Sequence, residues 1–276
     1  MANTLIVGAG WLGTPLAEAL VNAGQTVVVT RRSQERLDAL PATLTNAELL
    51  DLSQANAEIK LPELIQRYQI KHIVGAFPPG FRKGGGQEYA QQWATLVEAS
   101  KQQEIEKLVM ISSTTVYPNL PSDMNEDSAS LSLAQDHPHF SENAQIMLQA
   151  EQSVIDSGID YAILRCSGLI GPDRNPARFA ARLKQVSRKA PANMVHQKDA
   201  VAAAKFALAH IDNEIVNVTT PNTVSKAEFY QAAITKSGTE ELSLPPVTED
   251  ADKRIVADKI ISLGYQFQFN STLDAL

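Results

Sequence analysis

With 276 residues and 44% hydrophobic content, the chain is long enough for one large domain with a proper core, or for one domain with a smaller lobe. A formal charge of −7 excludes the basic field that a nucleic-acid surface needs. No apolar run approaches the roughly 20 residues of a membrane span, and residues 1–15 lack a charged start and cleavage pattern, so no membrane contact and a cytoplasmic location are expected.

Thr4-Leu5-Ile6-Val7 is an apolar strand end that runs into Gly8-Ala9-Gly10-Trp11-Leu12-Gly13 and then a helical stretch through Leu16, Ala17, Ala19 and Leu20 to Gly24. A lone G-x-G-x-x-G is a weak pattern, and the strand before it and the helix after it make it useful. Gly8 permits the tight turn, Gly10 lets the backbone approach a pyrophosphate that a side chain would block, and Gly13 lets the helix pack closely on the strand. Free backbone N–H groups around Trp11 and Leu12, with the positive end of the helix dipole behind them, are expected to face the phosphates. Val27-Val28-Val29-Thr30 completes a βαβ unit over residues 4–30. The competing interpretation is a tight turn without a ligand.

About twenty residues beyond the glycine turn, a carboxylate would accept hydrogen bonds from the ribose hydroxyls of NAD. Here Thr30 is followed by Arg31, Arg32 and Ser33. Two guanidiniums and a hydroxyl suit a 2′-phosphate, so NADP(H) is expected over NAD(H). The alternative is that Arg31 and Arg32 are solvated loop charges.

Residues 47–50 form a third strand ending in Asp51-Leu52, 61–68 a helix with apolar residues at helical spacing, and 71–77 a fourth strand leading into Pro78-Pro79-Gly80. Gly84-Gly85-Gly86 reads as a surface loop before a long helix over 87–103. A fifth strand over 108–113, a helix over 141–157 and a sixth strand over 159–164 follow. This alternation gives an α/β fold, a Rossmann-type doubly wound parallel sheet, because each crossover places a helix on a face. Ligands on such sheets sit at the carboxyl ends of the strands, which puts Gly8, Arg31, Asp51, Ala76, Phe77 and Ser112 along one edge. Residues 1–165 form the dinucleotide-binding domain; 166–276 are expected to supply a small C-terminal substrate lobe and closing elements. In that lobe a turn-rich stretch from Gly171 enters a helix around Arg178-Phe179, 198–210 and 225–236 read as helices, and 244–250 as a mobile surface segment. The lone Cys166 follows an apolar run and reads as a buried thiol. His137 and His139 have no third ligand nearby, so no metal site is expected.

Ile111-Ser112-Ser113-Thr114-Thr115-Val116-Tyr117-Pro118 resembles the end of the fifth strand in the extended short-chain dehydrogenase/reductases, the group of NAD-dependent epimerases and dehydratases acting mainly on nucleotide sugars. Leu164-Arg165, Gly168-Leu169-Ile170-Gly171-Pro172, Val195-His196-Gln197-Lys198-Asp199, Val216-Asn217-Val218 and Leu263-Gly264-Tyr265 continue the likeness in order over nearly the whole chain. Within the group the chain most resembles an atypical bacterial branch with a shortened lobe. The resemblance implies that Asp51 and Leu52 approach the adenine, Ala76, Phe77 and Pro78 the ribose and pyrophosphate, and Ser113 the catalytic hydroxyl position. A turn cap competes for Asp51, and loop closure for Phe77 and Pro78. The helices over 87–103 and 141–157 would pair between subunits in a homodimer, with Tyr89, Trp93, Leu96 and Val97 in that seam or in the core.

The departure from the family lies in 138–151. Active members carry a Tyr with a Lys four residues later, whose ammonium lowers the phenol pKa from about 10 toward neutrality. This stretch contains neither residue; Asn143 and Met147 hold the two places, and no one-residue slip restores the pair. Ser113, Thr114 and Tyr117, from the strand end that should face the nicotinamide, are the main catalytic candidates; His139 and Glu142 lie where the start of the altered helix would approach, with a surface loop and a first-turn carboxylate as their structural readings, and Arg174, Arg178 and His196 lie on the substrate side. For Tyr117 and His196 structural roles compete, and for the arginines solvated charge. Two functions follow: an NADP(H)-dependent oxidoreductase or epimerase-like enzyme acting on a small polar or sugar-like substrate with a non-standard acid/base, or a catalytically silent NADP(H)-binding redox sensor or regulatory protein.

Overall fold

The computed structural model describes residues 3–81, 84, 86–135, 137–239 and 241–276. Gly85 of the expected glycine-rich loop lies outside the described residues. In chain order the first half comprises β1 (Asn3–Val7), α1 (Gly13–Val21), β2 (Val27–Arg31), α2 (Gln34–Asp38), β3 (Ala47–Leu49), α3 (Ala57–Arg67), β4 (Ile70–Gly75), α4 (Gln87–Gln102) and β5 (Lys107–Ser113). There follow β6 (Asp123–Met124), α5 (Leu131–Ala134), α6 (Glu142–Ile155), β7 (Asp160–Cys166), β8 (Gly168–Ile170), α7 (Pro176–Ala180), β9 (Val186–Ser187), β10 (Met194–His196) and α8 (Gln197–His210). The chain closes with β11 (Glu214–Val218), α9 (Lys226–Ser237), β12 (Val247–Thr248), β13 (Arg254–Ile255) and α10 (Asp258–Ser262).

Seven strands pair in the order β11-β7-β5-β4-β1-β2-β3, every pairing parallel. The apolar strand runs explain the layers, because successive side chains point to opposite faces. Leu5 and Val7 join Val28 and Ile73 in a core under α3, α4 and α6, with Leu61, Trp93 and Leu148. Ile6 points the other way and joins Val27, Val29 and Val74 under α1 and α8, with Leu16, Leu20, Ala203 and Ala207. The chain leaves β1 toward β2 and β3 and later returns to β4 on the other flank, so the switch point lies between β1 and β4. Ligand clefts form at such points because the two outgoing loops diverge.

A third cluster, built from Ala177, Ala180, Val186, Phe229, Tyr230, Ala233 and Ile234, forms the small lobe around α7 and α9. Ser141 Oγ caps α6 by accepting from Ala144 N at 3.2 Å, and Ser225 Oγ caps α9 by accepting from Glu228 N at 3.2 Å. Three differences from the sequence reading stand out. Helix α3 begins at Ala57 rather than near residue 61, with Pro62 at its middle. Residues 214–218 are a seventh sheet strand, and the 244–250 segment is held by parallel pairing of β12 with β9. Of the two places the sequence leaves open for Tyr89, Trp93, Leu96 and Val97, a subunit seam or the core, they take the core, each at most 7% exposed. No helix among the described residues is long and apolar enough to cross a membrane.

Candidate functional site

At the end of β1, Gly8 adopts φ +94°, a conformation that disfavours a side chain. Gly8 N donates to Thr30 Oγ1 at 3.2 Å and Ala9 N to Thr30 O at 3.0 Å, which ties the turn to β2. Thr14 Oγ1 donates to Ala9 O at 2.7 Å and locks the loop onto the first turn of α1. Among the described residues, the N–H groups of Trp11 and Leu12 have no acceptor. They are free donors at a helix start.

The glycines have distinct reasons. A Cβ on Gly13 would collide with Gly8 O and lie 3.2 Å from Ile6 Cγ2, so helix and strand meet there without room for a methyl group. A Cβ on Gly8 would lie 3.1 Å from Phe77 N, which brings the β1 and β4 loops together across the switch point. At Gly10 a Cβ would meet only Gly8 O, at 3.9 Å, so its face opens onto space rather than protein. Gly13→Ala is therefore expected to destabilise the chain by about 1–3 kcal/mol in urea denaturation, the usual cost of overpacking; a change under about 0.5 kcal/mol would contradict the close approach.

A cleft runs along the carboxyl edge of the sheet. Arg31, Arg32 and Arg36 line one end together with Leu50, Asp51 and Leu52; Gly8, Gly10, Trp11 and Leu12 line the middle with Ala76, Phe77 and Pro78; Ile111, Ser112, Ser113, Met147 and Leu169 line the other end. The arginine end has one carboxylate among its lining residues, Asp51. Its Oδ1 accepts from Ser53 N at 3.0 Å and Ser53 Oγ at 2.7 Å, so Asp51 both caps a turn and borders the cleft. Arg31 Nη2 reaches Thr14 Oγ1 at 3.5 Å, while its buried Nε has no partner among the described residues. Burial and the neighbouring Arg36 both lower its pKa from the usual arginine value. Phe77 is fixed by stacking on Trp93, 5.0 Å between centroids, and by an edge contact with Tyr89. Trp93 in turn needs Gly75, where a Cβ would collide with its ring.

At the other end, Ser113 Oγ accepts from Thr115 N at 3.1 Å and lies 2.9 Å from Thr115 Oγ1. Ser112 Oγ donates to Glu151 Oε1 at 2.5 Å. Met147, 1% exposed, lines the cleft, whereas Asn143 is exposed on α6 and does not line it.

Two catalytic candidates change role. Thr114 begins a short 3₁₀ turn and does not border the cleft. Tyr117 is 1% exposed; its hydroxyl donates to Asn217 Oδ1 at 2.7 Å and accepts from Arg165 Nη1 at 3.1 Å. Burial pushes its phenol up to about 12, against the opposing pull of Arg165. A phenol so placed holds structure and does not exchange protons with a substrate. Cys166 is likewise pushed up to about 12 by burial and is no nucleophile.

The expected substrate-side residues separate. Arg174 lines the cleft with its guanidinium 3.9 Å from the Trp11 ring centroid. Arg178 is exposed on α7 and borders neither the cleft nor the lobe cavity. His196 lines that second cavity with Gly171, Asn175 and Lys236; its Nδ1 accepts from Lys198 N at 3.1 Å, and burial lowers its pKa. It anchors the start of α8 and lies off the cleft. Of the lining residues that sequence reasoning missed, Arg36 stands one helical turn beyond Arg32, past Ser33, Gln34 and Glu35, and that spacing was its signal; Gln92 carries no sequence signal at all. No group of three His, Cys, Asp or Glu side chains among the described residues is placed to hold a metal.

Comparison with known proteins is consistent with this geometry. Residues 8–213 match the family model described as NAD(P)H-binding. Protein YeeZ of Escherichia coli (strain K12) is 25% identical over 284 residues, covering 99% of this chain and 98% of that protein. The structure of the Bordetella bronchiseptica enzyme WbmH in complex with NAD+ superposes with TM-score 0.75 at 19% identity, over 100% of this chain and 96% of that one. A Thermus thermophilus UDP-glucose 4-epimerase in complex with NAD gives TM-score 0.75 at 19% identity, over 99% and 97%. At these identities the structural likeness establishes the fold.

Proposed function

The chain belongs to the NAD(P)H-binding family, and from that premise we propose that its cleft holds NADP(H) and that it acts as an oxidoreductase or epimerase-like enzyme on a small polar or sugar-like substrate. The observation that carries the reading is a continuous cleft with three arginines at one end, free main-chain donors in the middle and a serine hydroxyl at the other. The residues fit the dinucleotide: the unpartnered buried Nε of Arg31 asks for an acceptor, and the open face of Gly10 leaves room for phosphate. Arg31 and Arg32 would hold the 2′-phosphate, with Arg36 beside them, Trp11 and Leu12 would donate to the pyrophosphate, and Asp51 and Leu52 would border the adenine. The NAD in the WbmH and Thermus structures supports a nicotinamide dinucleotide.

Bound there, NADP(H) supplies the hydride. Ser113, its Oγ oriented by Thr115, holds the reacting oxygen; Met147 and Leu169 exclude water from the same end of the cleft. The proton would pass from that hydroxyl to the exposed Thr115 hydroxyl, 2.9 Å away, and from there to solvent outside the cleft, because among the described residues no Tyr, His, Lys or Cys lines the cleft. That same lack favours a second reading, a catalytically silent NADP(H)-binding regulator. Loss of reduced-nicotinamide absorbance with any of a panel of carbonyl compounds and nucleotide sugars supports the enzyme. Tight binding with no turnover, together with a protein partner that distinguishes oxidised from reduced cofactor, supports the regulator.

Gly10→Ala separates binding from folding. The added methyl group meets nothing closer than 3.9 Å in the protein, so stability is expected to change by less than about 0.5 kcal/mol. NADPH affinity is expected to fall about 100-fold, since the methyl group occupies the pyrophosphate position. Quenching of intrinsic fluorescence reads the binding directly: the chain has two tryptophans, Trp11 on the cleft and Trp93 stacked behind Phe77. Unchanged affinity in this variant would place the ligand elsewhere.

A further inference from the structure

Trp11 occupies two structures at once. Its peptide belongs to the loop with the free donors, and its carbonyl accepts from Gln197 Nε2, at the first residue of α8, at 2.6 Å. Its side chain leaves the loop altogether. The indole Nε1 donates to Pro172 O at 2.7 Å, and the ring lies under the Arg174 guanidinium at 3.9 Å. A Cβ on Gly171 would make ordinary contact with that ring at 3.5 Å but would crowd Gln197 Cβ at 3.1 Å, so the turn lies close against the start of α8. The turn from Gly171 to Arg174 closes on itself, with Arg174 N donating to Gly171 O at 3.0 Å.

We propose that Trp11 is a positioning residue that joins the phosphate loop to the lobe turn carrying Arg174, so that dinucleotide binding and closure of that turn over the cleft are linked. The proposal rests on the reading of the cleft as a dinucleotide site. A phosphate drawn to Leu12 N fixes the Trp11–Leu12 peptide, whose carbonyl holds Gln197, and one drawn to Trp11 N fixes the backbone of the residue whose side chain holds Pro172 and Arg174. Anything that fixes the peptide fixes the turn. The linkage is reciprocal: if the closed turn is favoured by bound cofactor, the closed turn strengthens cofactor binding by the same factor. Arg174 is thereby held over the cleft most firmly when the cofactor is in place, which favours cofactor binding before substrate. The lobe reads the state of the loop through the side chain and the carbonyl of this one residue.

Hydrogen exchange on the full chain, with NADPH as the probe ligand and its affinity measured by calorimetry, tests the link. Saturating NADPH is expected to slow exchange of the amides over 171–180 about tenfold in the unaltered chain. Trp11→Phe keeps a ring beneath Arg174 and removes the Nε1 donor; it is expected to bind NADPH about fivefold more weakly and to lose most of that slowing. Gln197→Leu, which leaves the loop sequence untouched, is expected to act in the same direction and guards against a folding defect in the first variant. A purely structural role for Trp11 would shift stability and leave the cofactor-dependent difference in exchange intact. The link is overturned if the unaltered chain binds NADPH with no change over 171–180, or if both variants keep the full slowing. No binding of NADPH by the unaltered chain would instead remove the dinucleotide reading, and the link with it.

Discussion

Replacing Arg31 and Arg32 together by alanine is expected to weaken NADPH binding by at least about 100-fold while changing NADH binding less than about threefold. A hydrogen bond to a charged group contributes about 1.5–3 kcal/mol, and each 1.4 kcal/mol is a factor of ten, so losing two such contacts accounts for the figure. The local electrostatics point the same way. Arg31 is partly buried, Arg36 stands close enough to lower its pKa, and its Nε has no partner among the described residues, so the cluster repels itself until an anion arrives. Asp51 borders the same end, but its Oδ1 is committed to Ser53. An exposed pair of solvated arginines, the competing view, would contribute little and equally to both cofactors. Titrations of both reduced cofactors at two salt concentrations separate the cases: the preference for NADPH should shrink as salt rises, because Arg32 and Arg36 are exposed. Equal weakening of NADH and NADPH, or a preference for NADH in the unaltered chain, would defeat the assignment.

The cofactor half of the site was legible because its signals are local. Gly8, Gly10 and Gly13 stand within six residues, and the apolar runs of β1 and β2 announce strands buried on both faces. The sheet order follows from alternation, since each helix crossover is long enough to return the chain parallel. Short pieces such as β6, β9, β12 and β13, two residues each, have no period to read and exist only through their partners. The fate of Tyr117 was hidden for a similar reason. Its hydroxyl partners lie 48 and 100 residues away in sequence, at Arg165 and Asn217, so nothing near residue 117 indicates that the phenol turns inward. Trp11 is the converse case: its place in the glycine loop is evident, while its bond to Pro172, 161 residues on, is a tertiary fact.

Removing the Glu151 carboxylate should have the largest effect on stability. Arg165 and Glu151 are each about 1% exposed and pair at 2.8 Å, with Arg165 Nε also donating to the same carboxylate. Burial alone would lower the pKa of Arg165, but Glu151 beside it holds it above the ordinary arginine value. Glu151→Leu therefore strands a buried cation, and breaking one side of such a pair costs about 3–5 kcal/mol. For a chain of this size that corresponds to a fall in Tm of about 10 °C, at roughly 2–4 °C per kcal/mol. Adding Arg165→Met should recover part of the loss by removing the stranded charge. Recovery stays incomplete because Glu126 O and Ala129 O, which accept from Arg165 at 2.8 and 2.9 Å, then lose their donor. Function should suffer as well, since Glu151 also holds Ser112 at the cleft wall, next to Ser113. Urea denaturation of the single and double variants beside the unaltered chain decides the matter: a single variant within about 1 kcal/mol of the unaltered chain, or a double variant no more stable than the single, would show that the pair is not what holds β5, β7 and α6 together beneath the site.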